Sequence, residues 1–343
     1  MIEIILGPNE ANRRFDRFLC AYLSRAPQSL VHKLLRKKRI KLNGRRALGN
    51  EITACEDKVT FYLAPETLQN LTAKSNPPPS NLGPVDIIYE DEHILLINKP
   101  AGLLTHSSKP GLQDTLVGRL NYYLNGVKNT DSLAPNYQAP CHSGQNPKED
   151  DAAKPRNLNF AVCNRLDRNT SGLVICGKNM ATIQGLNAIF AARKVEKTYL
   201  AVVCGLLNGK GDLRGYLYKD ERANRSYITE RPLNNAVPVH TEYECLKSGG
   251  GFSLIKVKLH TGRPHQIRAH FAALGHPLAG DAKYGGQSPL TDGTNRLASG
   301  ARRGQMLHSL SLRFLKSEAA PHHLTYLAGQ EWSAPAPEEF WRL

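Results

Sequence analysis

The sequence predicts an α+β protein, a strand-rich body preceded by a small module that carries helices. Three observations predict it. From residue 85 onward the apolar residues gather into short runs, such as Ile94 to Ile97 and Tyr199 to Cys204, with the length of buried strands rather than helices. Helical spacing is confined to a few stretches, two of them before residue 40. Between these regions, residues 64–84 include Asn76-Pro-Pro-Pro-Ser80, where three prolines remove backbone donors and favour extended polyproline II.

The chain has 343 residues, enough for two domains, and 41% hydrophobic content is sufficient for a real core. No apolar stretch approaches the length needed to cross a bilayer, and the N-terminus lacks a basic region followed by an apolar core. A membrane protein and a signal peptide are therefore not expected. The seven cysteines, at 20, 55, 141, 163, 176, 204 and 245, form no CxxC pair. Their number and spacing fit neither a disulfide framework nor a zinc site, and a reducing cytoplasm is expected. With 45 Lys and Arg against 30 Asp and Glu, the formal charge of +15 is the footprint of a polyanion binder, nucleic acid first.

In chain order, Phe15, Phe18, Leu19, Tyr22 and Leu23 recur at helical spacing. A second helical pattern follows Ser29, with Leu30, Val31, Leu34 and Leu35 on one side and His32, Lys33, Arg36 and Lys37 on the other. Lys38, Arg39 and Lys41 extend the basic side towards Asn43-Gly44, a hairpin turn. Six cations from 33 to 41 with no acid among them exceed what solubility requires, so Lys33, Arg36, Lys37 and Arg39 are expected to contact phosphates. The predicted domains are 1–63, a linker at 64–84, a body at 85–330 and a tail at 331–343. Within the body, 127–158 is poor in large apolar residues and reads as a mobile insertion. Cys141-His142 lies in it, and a metal site there would need two further ligands.

The body begins with a strand pair, Asp86–Tyr89 and Ile94–Ile97. Residues 163–173 then read Cys-Asn-Arg-Leu-Asp-Arg-Asn-Thr-Ser-Gly-Leu, a carboxylate between two arginines, followed by turn-forming residues and a buried apolar run. Taken locally, Asp167 fits either a structural ion pair or an acid held for chemistry. A helix follows over Met180–Arg193, then strands beginning near Lys197, Leu213, Val237 and Phe252. Thr261-Gly-Arg-Pro starts a helix that carries His265, Gln266, Arg268 and His270, and a last strand runs from Met306 to Phe314. No phosphate-cradling loop, hydrolase nucleophile elbow or metalloprotease helix is present.

Four motifs carry a resemblance that covers almost the whole chain. They are Arg-Leu-Asp-x-x-Thr-Ser-Gly at 165–172, Lys-x-Tyr-Leu-Ala at 197–201, and Thr-Gly-Arg-x-His-Gln-Ile-Arg-x-His at 261–270 with Leu-Gly-His-Pro-x-x-Gly-Asp at 274–281, and Leu307-His308 to Phe314. In this order they resemble the RluA family of pseudouridine synthases. The N-terminal module, with Arg-Phe-Asp-Arg-Phe-Leu and Ile-Lys-Leu-Asn-Gly, is similar to the S4 RNA-binding domain that precedes some of these enzymes. The resemblance implies a pseudouridine synthase fold with a mixed, mostly antiparallel central sheet, preceded by a small α/β S4-like domain.

It also implies a chemistry. A uridine must leave its helix to be reached, and Arg165 resembles the residue that occupies the vacated position, its alternative role being an ion pair with Asp167. Asp167 would be the nucleophile, at ribose C1′ or uracil C6. Arg268 would be its counter-charge, which favours the anion. Tyr199 would stack on the base and assist proton removal from C5. Lys197, Arg263 and Gln266 are expected to contact phosphate or support the loop. The isomerisation is redox-neutral, so neither metal nor cofactor is expected. The expected substrate is structured RNA, 23S ribosomal RNA first and transfer RNA second, and the expected state is a monomer. A catalytically silent RNA-binding or ribosome-assembly factor is the rival from another class. A small-molecule hydrolase explains neither the charge nor the basic helix. One departure stands out: the family usually has His before Arg-Leu-Asp, and here Asn164 takes its place.

Overall fold

The structure, a computed structural model, describes residues 1–7, 10–72, 82–106, 114–125, 160–287 and 304–341. The expected insertion at 127–158, with Cys141 and His142, lies outside these residues. The chain divides into an N-terminal unit, Met1–Asn81, and a larger unit that begins at Leu82.

The first unit contains β1 (Ile2–Ile5), α1 (Phe15–Tyr22), α2 (Gln28–Arg36), β2 (Ile40–Leu42), β3 (Arg45–Arg46), β4 (Lys58–Phe61) and α3 (Pro65–Thr72). Its four strands pair in the order β1-β4-β2-β3. The apolar stripes of α1 and α2 meet the sheet through Phe15, Phe18, Leu19, Val31, Leu34 and Leu35, all buried. Asn43 and Gly44 take φ of 50° and 73°, the left-handed pair that a tight hairpin between β2 and β3 requires. The linker expectation is corrected at its start. Pro65 opens α3, where a missing N–H costs nothing, and Leu68 is buried in the unit's core. The three prolines at 77–79 that suggested extension fall outside the described residues.

The larger unit contains β5 (Ile87–Glu90), β6 (Ile94–Lys99), α4 (Leu116–Asn125), β7 (Ala161–Val162), β8 (Ser171–Gly177), α5 (Met180–Ala191), β9 (Val195–Cys204), β10 (Lys210–Asp220), β11 (Arg225–Thr229), β12 (Val237–Gly249), β13 (Phe252–Leu259), α6 (Gln266–Ala273), β14 (Leu307–Phe314) and β15 (Glu331–Ser333). The sheet runs β11-β10-β12-β13-β9-β14-β8-β6-β5, with β15 on β14 and β7 on β8. Every pairing is antiparallel except β14 with β8, so the sheet is mixed and mostly antiparallel. The parallel junction places Ser309 opposite Gly172 on one side and opposite Tyr199 on the other, which brings the turn before β8 close to the middle of β9.

Three details correct the sequence reading here. The expected tail at 331–343 is joined to the body: β15 pairs β14, Ala334 and Phe340 are buried, and His308 Nε2 lies 3.2 Å from the Ala334 carbonyl. Burial of Phe340 outweighs the freedom a terminus would otherwise keep. Tyr199 lies in the middle of β9 rather than at its start. The helix after Pro264 begins only at Gln266, because His265 adopts φ 57°, outside the helical region.

Candidate functional site

Asp167 lies in the turn just before β8, and the turn is held from several directions. The Thr170 N–H donates to the Asp167 carbonyl at 3.1 Å. Thr105 Oγ1 donates to the Leu166 carbonyl at 3.2 Å. Asn164 donates from Nδ2 to the Leu173 carbonyl at 3.2 Å and accepts the Ile175 N–H on Oδ1 at 2.8 Å, so its amide ties the entrance of the turn to β8. The fully buried Lys99 donates to the carbonyls of Pro100, Leu103 and Arg168, joining the end of β6 to the turn. At Gly172, φ is 103° and an added Cβ would stand 2.2 Å from the Ser309 carbonyl oxygen. The close approach of β8 and β14 therefore needs glycine at this position.

The flanking arginines are not what holds the acid. Arg165 and Arg168 are exposed, and Arg168 Nε donates to the Gly102 carbonyl at 3.0 Å. The cation on Asp167 comes from a distant segment: Arg268 Nη1 donates to Asp167 Oδ2 at 3.0 Å. The same guanidinium holds Asp281 through Nε at 2.6 Å and Nη2 at 2.8 Å. The Arg268 side chain is 9% exposed, Asp281 2% and Asp167 30%, so the shared cation sits behind a carboxylate that still faces outward. Burial opposes the charged guanidinium, but the hydrogen bonds and charges of Asp281 and Asp167 more than offset it, and the Arg268 pKa is raised.

Tyr199 is 7% exposed, and burial pushes its phenol up to about 12, with the Asp167 charge adding to the rise and the neighbouring Ser309 hydroxyl opposing it. His265 Nε2 stands 3.8 Å from Asp167 Oδ2 while Nδ1 lies 3.1 Å from the Tyr284 hydroxyl. Burial lowers the His265 pKa, with the Asp167 charge opposing the shift. The Tyr284 ring lies under the Arg268 guanidinium at 4.9 Å and near that of Arg225 at 4.8 Å. The Arg268 guanidinium occupies the space between Asp167 and Asp281 that a metal ion between these carboxylates would need, so this pair is built around an organic cation.

Of the second-tier residues, Arg263 is exposed just before α6. Gln266, expected to contact phosphate or support the loop, is 2% exposed with its amide engaged inside the protein. It accepts from Thr261 Oγ1 and the Arg263 N–H and donates to the His240 carbonyl and Thr241 Oγ1. Lys197 is half-buried with Nζ 5.8 Å from the Phe190 ring centroid, and burial lowers its pKa. In the first unit Lys33, Arg36, Lys37 and Arg39 are all exposed. His270 and His308 are interior histidines: His270 Nδ1 meets Thr241 Oγ1 at 2.7 Å and His308 Nδ1 meets Ser171 Oγ at 2.9 Å. Sequence reasoning gave no role to Asp281, Tyr284 or Lys99. Asp281 did stand in a motif already singled out, and Tyr284 follows it by three residues.

A family profile described as RNA pseudouridylate synthase matches residues 93–273. The uncharacterized RNA pseudouridine synthase YhcT of Bacillus subtilis is 30% identical over 93% of this chain and 93% of its own length. The ribosomal large subunit pseudouridine synthase D of Xanthomonas campestris is 27% identical over 99% of this chain and 91% of its own. Among solved structures, human RNA pseudouridylate synthase domain containing 1 superimposes with a TM-score of 0.51 at 24% identity, covering 75% of this chain and 85% of that one, a likeness of fold.

Proposed function

The chain belongs to the RluA family of RNA pseudouridine synthases, and from that membership we propose that it isomerises specific uridines of 23S ribosomal RNA with Asp167 as the nucleophile. The observation that carries the assignment of Asp167 is its posture: a partly exposed carboxylate backed by the buried Arg268 guanidinium and lying close to the buried Tyr199. A large-subunit substrate is favoured by relatives named for the large ribosomal subunit.

In the proposed reaction the target uridine is flipped out of its stack, with Arg165 filling the space it leaves. Attack by the Asp167 carboxylate leads to cleavage of the N1–C1′ bond. Uracil turns, C5 bonds to C1′, the bond to Asp167 breaks and frees the carboxylate, the C5 proton is lost and N1 gains a proton, so atoms balance without a redox step. Arg268 keeps the carboxylate oriented through the sequence. Tyr199 offers its ring face to the base and its oxygen to the C5 proton. Attack consumes the Asp167 charge and so removes one of the contributions that hold the phenol protonated. Arg263 and Lys197 contact the backbone near the flipped nucleotide. The first unit acts as an S4-like RNA-binding domain, gripping phosphates through Lys33, Arg36, Lys37 and Arg39. The protein works as a monomer in the cytoplasm. Among the described residues no helix is long and apolar enough to cross a membrane.

The test is carbodiimide-probed sequencing of total RNA from cells lacking the protein. One or more pseudouridines in 23S RNA should vanish, return with the wild-type chain and stay absent with Asp167→Asn. Loss in transfer RNA instead would move the substrate, and no loss anywhere would remove the proposal.

A further inference from the structure

The face of the sheet turned away from Tyr199 carries a second cluster of chemistry-bearing side chains. Side chains alternate along a strand. On β12, Tyr243 packs against the core that contains Tyr199, and Thr241 is tied to Gln266 and His270 of the α6 segment. His240 and Glu242 therefore lie on the opposite face. The next strands bring partners to them. The His260 N–H donates to the His240 carbonyl at 3.3 Å, and Asp212 of β10 stands directly across from Glu242. The two imidazoles stack with centroids 4.0 Å apart and planes at 10°.

Their donor atoms converge. His240 Nε2 is 2.8 Å from Asp212 Oδ1 and 3.8 Å from Glu242 Oε1, while His260 Nε2 is 2.9 Å from the same Glu242 oxygen. Ion pairs between protonated histidines and carboxylates are the ordinary explanation of such distances. The directions argue against it. Both Nε2 atoms are shielded from water, yet neither makes a hydrogen bond of acceptable angle. Hydrogen bonds weaken steeply off axis. The ligand atoms of His240, Glu242 and His260 lie within 4.8 Å of one another, within reach of a single ion.

The geometry points to a divalent transition-metal site formed by His240, His260 and Glu242 and closed by Asp212 from beside His240, with zinc as the best-fitting ion. Two imidazoles favour zinc, copper or nickel over magnesium or calcium, and two carboxylates neutralise the ion's charge. Bonds of about 2.0–2.1 Å at tetrahedral angles put ligand atoms about 3.3 Å apart. The separations of 2.8, 2.9 and 3.8 Å bracket that value, and turning the two stacked imidazoles out of parallel lets both Nε2 atoms face one ion. The ion clasps β10, β12 and the end of β13 from the far side of the sheet and takes no part in the isomerisation.

The test uses the tag-free full chain, stripped with a chelator and then titrated with Zn2+ against a chromogenic competitor and separately with Co2+. The wild type should take one tight equivalent, with the visible absorption of four-coordinate Co2+. His240→Ala and His260→Ala should each weaken Zn2+ at least tenfold, and the double variant should lose the Co2+ band. Melting of the stripped proteins checks that the variants fold. If an alanine variant does not, Glu242→Gln and Asp212→Asn, which keep side-chain shape, replace it and should also weaken Zn2+ at least tenfold. Absence of a tight equivalent in the wild type overturns the proposal, as does equal Zn2+ affinity in the wild type and a folded ligand variant.

Discussion

Arg268 and Asp281 form a buried two-bond pair, Nε to Oδ2 at 2.6 Å and Nη2 to Oδ1 at 2.8 Å, which leaves Nη1 for Asp167. Asp281 thus sets the angle from which the guanidinium reaches the carboxylate. Lysine lacks the planar fork, so it cannot keep the two-bond grip on Asp281 while presenting a third donor to Asp167. We expect Arg268→Lys and Asp281→Asn to lower kcat for tritium release from 5-tritiated uridine RNA by about a hundredfold, an orientation effect, with KM changed little. Arg268→Leu strands two carboxylates, one of them buried, and should cost about 3–5 kcal/mol in urea unfolding. Wild-type kinetics in Asp281→Asn would remove Asp281 from this positioning role.

Tyr199→Phe keeps the ring and deletes only the hydroxyl. If the oxygen handles the C5 proton, kcat should fall by about a hundredfold or more while RNA affinity holds. A change of less than threefold would leave Tyr199 a stacking surface alone.

His270 gives a pH dependence of stability. Burial, reinforced by the His240 charge when present, lowers its pKa to about 4. The unfolded chain binds the proton near pH 6.5, so between these values the unfolded state holds more protons and stability falls as pH drops. The loss approaches about 3 kcal/mol at pH 4, in urea midpoints taken from pH 7 downward. His270→Gln should flatten that slope, and an unchanged slope would assign it to other groups.

Gly172→Ala places a methyl group 2.2 Å from the Ser309 oxygen, at φ 103°. Either β8 and β14 part or the chain fails to fold, and a soluble product should be destabilised by more than about 3 kcal/mol. Gly102, at φ 85° with open space around its Cβ position, is the control. Gly102→Ala should cost only about 1 kcal/mol by thermal or urea unfolding.

The basic face of α2 makes a prediction in salt. Replacing the exposed Lys33, Arg36, Lys37 and Arg39 by Gln removes four candidate phosphate contacts without touching the core. The slope of log affinity against log salt should flatten by about 2.8–3.6 units, according to strandedness. An unchanged slope would mean that this face does not grip RNA.

Much of this protein is legible in its residues alone. Val31, Leu34 and Leu35 are buried and Lys33, Arg36 and Lys37 exposed, as helical spacing requires, and Asn43-Gly44 turns a hairpin as its residue types demand. These are local properties, set by neighbours a few residues away. The linker and tail expectations fail at Pro65–Thr72 and Glu331–Ser333 because Leu68 and Phe340 are ordered by burial against distant partners, which local composition does not reveal.

The turn at Asp167 divides the same way. The order of motifs around it is enough to name the family, and through that resemblance Asp167, Tyr199 and Arg268 become the candidates. Which cation holds the acid is not available there. The adjacent Arg165 and Arg168 look like its partners, yet Arg268, 101 positions away, makes the bond. Sequence adjacency directs Arg165 and Arg168 outward from the turn, whereas the sheet brings α6 to the end of β8 and lets Asp281 aim the guanidinium. Chemistry is written in residue types and spacing, and geometry is decided by long-range packing that no local pattern encodes.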